Sequence, residues 1–329
     1  MKALVEPDVL VGAAAGLRTV PPDFAVYEAD AQLATRHLSM DHAALAALAQ
    51  AGLPHRTDPH GAPLFDFTDL TNVALRSGSG TTVPELARRF LLRFMSGEPR
   101  SWYEERTWQI SVWPPKGSAA DDWRLLPLDG DAPGITVHSS TRTSGAISAV
   151  VTIAGAEDAV TDPEVLALYE DVYDALVSGD VAYQSVPEAL RHEHERAWAE
   201  GVADCVVISR VLAGRIVATG RRARARRGYL LGLLGSDHAW TEVHEDGRWK
   251  CLDPVFELLA RATPGTERFR AACRGGRFNR LVPCDTERAD PLITLAGRPA
   301  PAWALAGVSS RPAEHPVSTD NAVTAGSDQ

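Results

Sequence analysis

Residues 201–205 read Gly-Val-Ala-Asp-Cys, residues 236–240 read Ser-Asp-His-Ala-Trp, and residues 249–254 read Trp-Lys-Cys-Leu-Asp-Pro. A cysteine, a histidine and an aspartate thus follow one another along the chain, each beside a signal for secondary structure. In that order they can form a thiol nucleophile, its base and the group that orients the base. These three stretches decide the predicted fold and the predicted site.

The signals around these stretches predict a helix followed by a hairpin. Asp204 is a favoured N-cap residue, and the apolar run 205–219 is typical of a buried helix. Two strands are predicted at 238–244 and 248–252, joined at 245–247 by Glu-Asp-Gly, a hairpin turn sequence. Pairing these strands brings the start of the first beside the end of the second, where the histidine and the aspartate lie.

The chemistry of a thiol explains why these residue types belong together. A free cysteine has a pKa near ~8.5 and attacks only as the thiolate, so it needs help. At the start of a helix the peptide dipoles favour a negative charge on Cys205, and its N–H is a candidate oxyanion donor. The adjacent Asp204 opposes ionisation, so a base is required. His238 can take the proton, and Asp253 can accept a hydrogen bond from the other ring nitrogen.

Each of these residues also has an ordinary structural interpretation. A single cysteine in an apolar helix is usually a small buried hydrophobe. A histidine before Ala-Trp is more often structural, and Asp-Pro at a strand end is more often a turn. Cys251 is expected to pack on the same face as Asp253, while Cys273 and Cys284 carry no partner signature. The residue types alone do not separate a catalytic site from a packed core.

Four motifs resemble those of the transglutaminase-like superfamily, papain-like enzymes that transfer acyl groups with Cys, His and Asp. They are Gly201-x-x-x-Cys205, Gly220-Arg-Arg-Ala223-Arg224, His238-Ala-Trp240-x-Glu242-Val243 and Gly247-x-Trp249-x-x-x-Asp253-Pro254. The match covers roughly residues 180–260. The resemblance implies Cys205 as the nucleophile, His238 as the base and Asp253 as the orienting carboxylate, with Trp240 supporting the site.

The chain departs from the family pattern in three places. Val206 follows the cysteine where the family often has another kind of residue, and Gly-Arg-Arg-Ala-Arg replaces Gly-Ile-Pro-Ala-Arg at 220–224. The family also implies a second oxyanion donor from an upstream side chain. Tyr183 and Gln184 lie in that region, with Gln184 a candidate substrate-binding or supporting residue, and the sequence leaves the oxyanion role open.

The predicted fold class is α+β, with a cysteine-bearing helix packed on an antiparallel sheet. The predicted domains are an accessory α/β domain at 1–155, a catalytic domain at 156–300 and a disordered tail at 301–329. Further predicted elements are helices at 23–52, 83–96, 162–178 and 185–200, capping boxes at Thr82–Glu85 and Ser185–Glu188, and a hairpin at 135–153.

Composition excludes several function classes. The 329 residues are 45% hydrophobic and 23% charged, as in an ordinary globular protein, and the net charge of -10 argues against nucleic-acid or anionic-membrane binding. No run approaches the ~20 apolar residues of a membrane span. Four cysteines without a C-x-x-C pair indicate a reducing cytoplasm, and no metal site is expected, because His192 and His194 point to different helix faces.

Two residue clusters have alternative interpretations. Residues 210–227 hold seven arginines, which form either a solvated face or a docking surface for an acidic partner or anionic substrate. Four tryptophans are more often core than a ligand platform; they are Trp102, Trp108, Trp113 and Trp123.

The predicted function is acyl transfer through a Cys205 thioester, with amide formation as the preferred outcome. The acyl donor would be a carrier-protein or CoA thioester, the acceptor an amine, and the residues before 150 would bind the donor. No cofactor is expected, because thiol, imidazole and carboxylate suffice. The alternatives are a peptide or amide hydrolase of the same fold and a non-catalytic binding module.

Overall fold

The computed structural model describes residues 4–112, 122–142, 147–232, 236–299 and 307–310. Within these ranges the chain forms twelve helices and seventeen strands. All but one of the strand pairings are antiparallel, and the strands form several small sheets. The protein is therefore mixed α and β, of the α+β class.

The first part of the chain is mainly helical. Its elements are α1 (Pro7–Ala14), β1 (Tyr27–Ala29), α2 (Ala31–Leu38), α3 (His42–Gln50), β2 (His55–Thr57), β3 (Pro63–Asp66), α4 (Phe67–Arg76), α5 (Val83–Met95) and α6 (Pro99–Tyr103). The helix predicted at 23–52 is two helices, because Ser39 adopts a left-handed φ of 61° after α2 and Asp41 caps α3. The capping box of Thr82 and Glu85 is confirmed.

A four-stranded antiparallel sheet follows. Its strands are β4 (Arg106–Val112), β6 (Ile135–Arg142), β7 (Ile147–Ile153) and β17 (Gly307–Ser310), in the order β17-β4-β7-β6. Between β4 and β6 along the chain lies β5 (Trp123–Leu125), which belongs to another sheet. The hairpin predicted at 135–153 is confirmed, since β6 pairs with β7. Trp102, Trp108 and Trp123 are buried in the core, as predicted, and Trp113 lies outside the described residues.

The rest of the chain builds the region around the three opening stretches. Its elements are α7 (Pro163–Ser178), β8 (Ala182–Tyr183), α8 (Glu188–His192), α9 (His194–Ala199), β9 (Val202–Ala203), α10 (Cys205–Ala218), β10 (Ala223–Leu230), β11 (Ser236–Glu245), β12 (Arg248–Leu252), α11 (Pro254–Arg261), α12 (Glu267–Ala272), β13 (Arg274–Gly275), β14 (Leu281–Pro283), β15 (Ile293–Leu295), β16 (Arg298–Pro299) and β17 (Gly307–Ser310). The predicted cysteine helix and hairpin strands match α10, β11 and β12.

A five-stranded antiparallel sheet, ordered β13-β12-β11-β10-β14, forms the base of this region. Asp246 and Gly247 both have positive φ, 53° and 77°, as the predicted two-residue hairpin turn between β11 and β12 requires. Helix α10 packs on one face of the sheet, where Ala239 and Val243 join Val207 in a single buried apolar cluster. The predicted packing of the cysteine helix on an antiparallel sheet is what the structure has.

Two local predictions for residues 185–200, which precede α10, are wrong. The capping box at Ser185–Glu188 does not form, because the Ser185 N–H donates to Asn72 Oδ1 (2.7 Å) and Pro187 occupies the N-cap of α8. The predicted single helix that follows is divided into α8 and α9.

The arginines of the stretch 210–227 do not share one environment, and two of them lie inside the protein. The stretch covers α10 and β10, and the two arginines nearest the middle of β10, Arg226 and Arg227, are 1% and 2% exposed. Arg226 pairs with Asp129, and Arg227 pairs with Glu188 and Asp237. Arg226 and Arg227 thus form internal ion pairs and are not part of an exposed basic surface.

The apolar clusters show how the predicted domains relate. Residues between Val5 and Ala74 form a cluster of their own. In contrast, Trp108 shares a cluster with Tyr229, and Phe94 shares one with Phe256, so apolar packing crosses position 155. In the predicted tail, residues 307–310 form a strand on β4, and the other residues of 301–329 lie outside the described ranges. No helix in the described ranges is long and apolar enough to cross a bilayer.

Candidate active site

Cys205 is the first residue of α10, and Asp204 is its N-cap. Asp204 Oδ1 accepts hydrogen bonds from the N–H groups of Val206 (3.0 Å) and Val207 (3.1 Å). The N–H of Cys205 itself has no preceding carbonyl within the helix. Cys205 as a residue is 9% exposed, so it is largely shielded from water.

His238 and Asp253 form a buried hydrogen-bonded pair. His238 Nε2 lies 2.7 Å from Asp253 Oδ2, and the two residues are 4% and 2% exposed. Asp253 is also the N-cap of α11, where its Oδ1 accepts from the Phe256 N–H at 2.9 Å. Because Oδ1 is held by the helix N–H group while Oδ2 binds the imidazole, the carboxylate keeps a fixed orientation toward the ring.

Cys205 is the second residue that acts on the His238 ring, and like Asp253 it favours the protonated form. Since Nε2 is bonded to Asp253, Nδ1 is the nitrogen available to the thiol. Burial lowers the pKa of His238, but Asp253 and Cys205 outweigh it and raise that pKa to about 10. The structure thus brings together the three residues predicted from the motifs, in an arrangement that favours an imidazolium ring.

Aromatic rings hold the imidazole in place. The Phe256 ring stacks on His238 with centroids 4.3 Å apart and planes 9° apart, and Phe256 is fully buried. Trp240 lies farther away, at 6.2 Å, and its Nε1 donates to Glu242 Oε1 at 3.3 Å. Trp240 therefore supports the site without reaching the thiol. Sequence reasoning missed Phe256, although its place three residues after the N-cap Asp253 was a usable signal.

Of the two upstream candidates, Tyr183 is the one beside the thiol. The Gln184 side chain turns toward the N-terminal segment, where its Nε2 donates to the Arg18 carbonyl and its Oε1 accepts from Arg76 at 3.4 Å. Burial, followed by the charges of Cys205 and Asp204, raises the pKa of the half-buried Tyr183 well above its usual range. A phenol that stays protonated beside the thiol can donate a hydrogen bond.

A network of ion pairs joins Asp204, the N-cap of α10, to residues of α8, β10 and β11. Arg191 Nε donates to Asp204 Oδ2 (2.6 Å), and its NH1 donates to Glu188 Oε2 (2.7 Å). Arg227 donates to Glu188 Oε1 (2.7 Å) and to Asp237 Oδ2 (2.6 Å). Sequence reasoning missed this network, because Arg191 lies in the helix predicted at 185–200 and Arg227 in the arginine-rich stretch, and neither pattern indicates a partner.

The other cysteines are of a different kind. Cys251, Cys273 and Cys284 are buried, and burial raises the pKa of each thiol well above its ordinary value. No imidazole forms a hydrogen bond with any of the three in the described part of the chain. Among the described residues there is also no group of three or more His, Cys, Asp or Glu that could hold a metal ion.

The comparisons with known proteins add little to this geometry. No family model matches the chain, and no curated protein matches it. A solved structure from Cytophaga hutchinsonii, described as a "putative cysteine protease", aligns over 64% of this chain and 90% of its own, with 11% identity and a TM-score of 0.28. At that level the likeness carries no argument about fold or activity.

Proposed function

We propose that this protein is an acyltransferase of the transglutaminase-like kind, in which Cys205 forms a thioester and an amine then takes the acyl group. One observation carries the proposal. His238 Nε2 lies 2.7 Å from Asp253 Oδ2, and Cys205, at the start of α10, is near enough to the ring to raise its pKa. This is the arrangement that nucleophile, base and orienting group require.

The first half-reaction follows from these contacts. His238 takes the thiol proton, and the Cys205 thiolate attacks the carbonyl carbon of the acyl donor. The carbonyl oxygen becomes an oxyanion, for which the Cys205 N–H and the Tyr183 hydroxyl are the proposed donors. When the tetrahedral intermediate collapses, the bond to the leaving group breaks, and that group receives the proton from His238. The products are a Cys205 thioester and the protonated leaving group.

The second half-reaction runs the same groups in reverse. An amine attacks the thioester carbon while His238 takes one of its protons. Collapse of the second intermediate breaks the carbon–sulfur bond, releases the amide, and returns the proton to the Cys205 sulfur. The low exposure of Cys205 and His238, 9% and 4%, favours an amine over water as the acceptor, because water has little access to the thioester.

The proposed donor is an activated thioester on a carrier protein or CoA. A thiolate is a good leaving group, and the His238 imidazolium, paired with Asp253, gives it the proton with which it departs as the thiol. The residues before 150 are proposed to help to seat this donor. A cytoplasmic setting suits the chemistry, since a working thiol needs a reducing environment and all four cysteines are free.

The test is a product assay on the full chain. The protein is incubated with acyl-CoA and carrier-bound thioesters in the presence and absence of primary amines, and in parallel with peptides. The proposal expects a Cys205 adduct by mass spectrometry and an amide product that requires the amine, with both lost in Cys205→Ser. Cleavage of peptides without amide formation would replace the acyltransferase with a hydrolase, and no adduct with any substrate would support a binding module.

A further inference from the structure

Asp204 creates an electrostatic problem at the nucleophile. Its carboxylate caps α10 through the N–H groups of Val206 and Val207, so it is held within one residue of the Cys205 thiol. A second negative charge at that distance disfavours the thiolate, and the side chain is only 6% exposed, so water does little to screen it. An activated Cys205 therefore needs the charge of Asp204 to be offset.

Arg191 is placed to offset it. Its Nε donates to Asp204 Oδ2 at 2.6 Å, the oxygen that the helix cap does not use. Its own backbone carbonyl is held by Arg210, whose NH1 donates to it at 2.7 Å. Burial lowers the pKa of Arg191, but Asp204 and Glu188 raise it well above its usual range, so the guanidinium stays charged.

The three carboxylates that pair with Arg191 differ in whether they also pair with a second arginine. This difference indicates which of them depends on Arg191. Glu188 and Asp237 both also pair with Arg227, at 2.7 Å and 2.6 Å. Asp204 has no cation but Arg191 within ion-pair distance in the part of the chain that the structure describes. Loss of the Arg191 charge would thus leave Glu188 and Asp237 paired and Asp204 alone.

We propose that Arg191 is a positioning residue of the site: it neutralises Asp204, so that Asp204 can cap α10 without opposing a thiolate on Cys205. This inference rests on the proposed role of Cys205 as a thiol nucleophile. The other groups that act on the thiol are His238 on β11, Tyr183 on β8 and, through His238, Asp253 after β12. None of them contacts Arg191 by a hydrogen bond among the described residues. Arg191 does act through its charge on Tyr183, whose pKa it lowers, so the Asp204→Asn variants are needed to assign an effect to Asp204.

The chain offers a matched control. Asp162 caps α7 in the same way, through the N–H groups of Glu164 and Val165, and Arg221 donates to both of its carboxylate oxygens. That pair is 26–30% exposed, and α7 begins with a proline instead of a nucleophile. Arg221→Gln therefore removes an arginine from an aspartate cap of the same design without touching Cys205.

The experiment measures the rate of Cys205 alkylation by iodoacetamide against pH, peptide by peptide, in the full-length protein. Arg191→Gln is expected to raise the midpoint of the curve of alkylation rate against pH by about one pH unit. At any pH below that midpoint, alkylation of Cys205 should then be about tenfold slower than in the wild type. Asp204→Asn in the Arg191→Gln background should return the midpoint toward the wild-type value, because asparagine keeps the cap and removes the charge. Asp204→Asn alone should move it downward, and Arg221→Gln should leave it in place.

The outcomes separate the two proposals. If wild-type Cys205 is alkylated like an ordinary thiol, the proposed function fails. If wild-type Cys205 is activated and Arg191→Gln leaves its midpoint unchanged, only the role of Arg191 is overturned. A midpoint that rises in Arg191→Gln and does not return in the double variant would overturn it as well, because the change would then come from disrupted structure. Should Arg191→Gln not fold, Asp204→Asn still tests the premise: an unchanged midpoint would overturn the proposal, because Asp204 would then not oppose the thiolate.

Discussion

The residues around Cys205 and its N-cap fall into two groups of different character, here called the aromatic side and the ionic side. On the aromatic side, His238 is stacked on Phe256 and backed by Trp240, and its one charged partner is Asp253. On the ionic side, two arginines and three carboxylates interlock; they are Arg191, Arg227, Glu188, Asp204 and Asp237. The comparison indicates a division of tasks. The aromatic side orients the base, and the ionic side controls the charge around the helix start.

The largest expected effect comes from removing the base on the aromatic side. His238→Ala should lower kcat/KM for acyl transfer by about 10²–10⁴-fold, because the thiol then loses its proton acceptor. The measurement is steady-state kinetics with the donor identified by the product assay. His244→Ala is a matched control on the same strand, and a comparable loss there would contradict a specific role for His238.

On the ionic side, the largest effect should be on stability. Arg227→Met removes one of the two cations that Glu188 and Asp237 share and leaves both carboxylates to Arg191 alone, at a cost of about 3 kcal/mol in the free energy of unfolding. Urea denaturation measures this loss. Adding Glu188→Gln and Asp237→Asn should recover a large part of it, and no recovery would mean that Arg227 stabilises the fold by packing instead.

The pH dependence of stability should reveal the His238–Asp253 pair. The pKa of His238 in the folded protein, about 10, lies above the ordinary histidine value of 6.5, so the ring binds its proton more tightly when the protein is folded. Its contribution is therefore full below pH 6.5 and is lost as the pH rises toward about 10. The stability difference between wild type and His238→Gln should shrink over that window. A constant difference would contradict the pair.

The smallest expected effect comes from replacing the Phe256 ring on the aromatic side with an aliphatic side chain. Phe256→Leu keeps an apolar residue of nearly the same volume, so the free energy of unfolding should fall by about 1 kcal/mol. The acyl-transfer rate should fall more than this stability loss explains, because the imidazole loses its stacking partner at 4.3 Å. Phe278→Leu, in the same apolar cluster, should cost stability alone. Equal loss of rate in both variants would contradict a positioning role for Phe256.

Local signals predicted the parts of the site that lie close together in sequence. The start of α10, the β11–β12 turn and the aspartate at the end of β12 each follow from a cap, a turn or an alternation within a few residues. The capping box at Ser185 failed because Asn72, 113 residues away, binds its N–H. Long-range contacts of this kind leave no local pattern.

The ionic side could not be predicted for the same reason. Arg227 is paired with Glu188, 39 residues earlier in the chain, and Arg191 reaches Asp204 from a different helix. In sequence, these residues look like the charged face of a helix and part of a basic strip. Burial decides between such a surface and an internal network, and a single sequence does not show which charges are buried together.

One measurement tests the central claim most directly, namely that Cys205 is an activated thiol. The wild-type protein and His238→Ala are alkylated with iodoacetamide over a range of pH, and each cysteine is followed in its own peptide. The account predicts that Cys205 reacts at a pH well below ~8.5, the pKa of a free thiol. It also predicts that His238→Ala removes this advantage and that the three other cysteines, which are buried, react slowly. If Cys205 reacts no faster than Cys251, Cys273 or Cys284, no thiolate–imidazolium pair exists and the account is wrong.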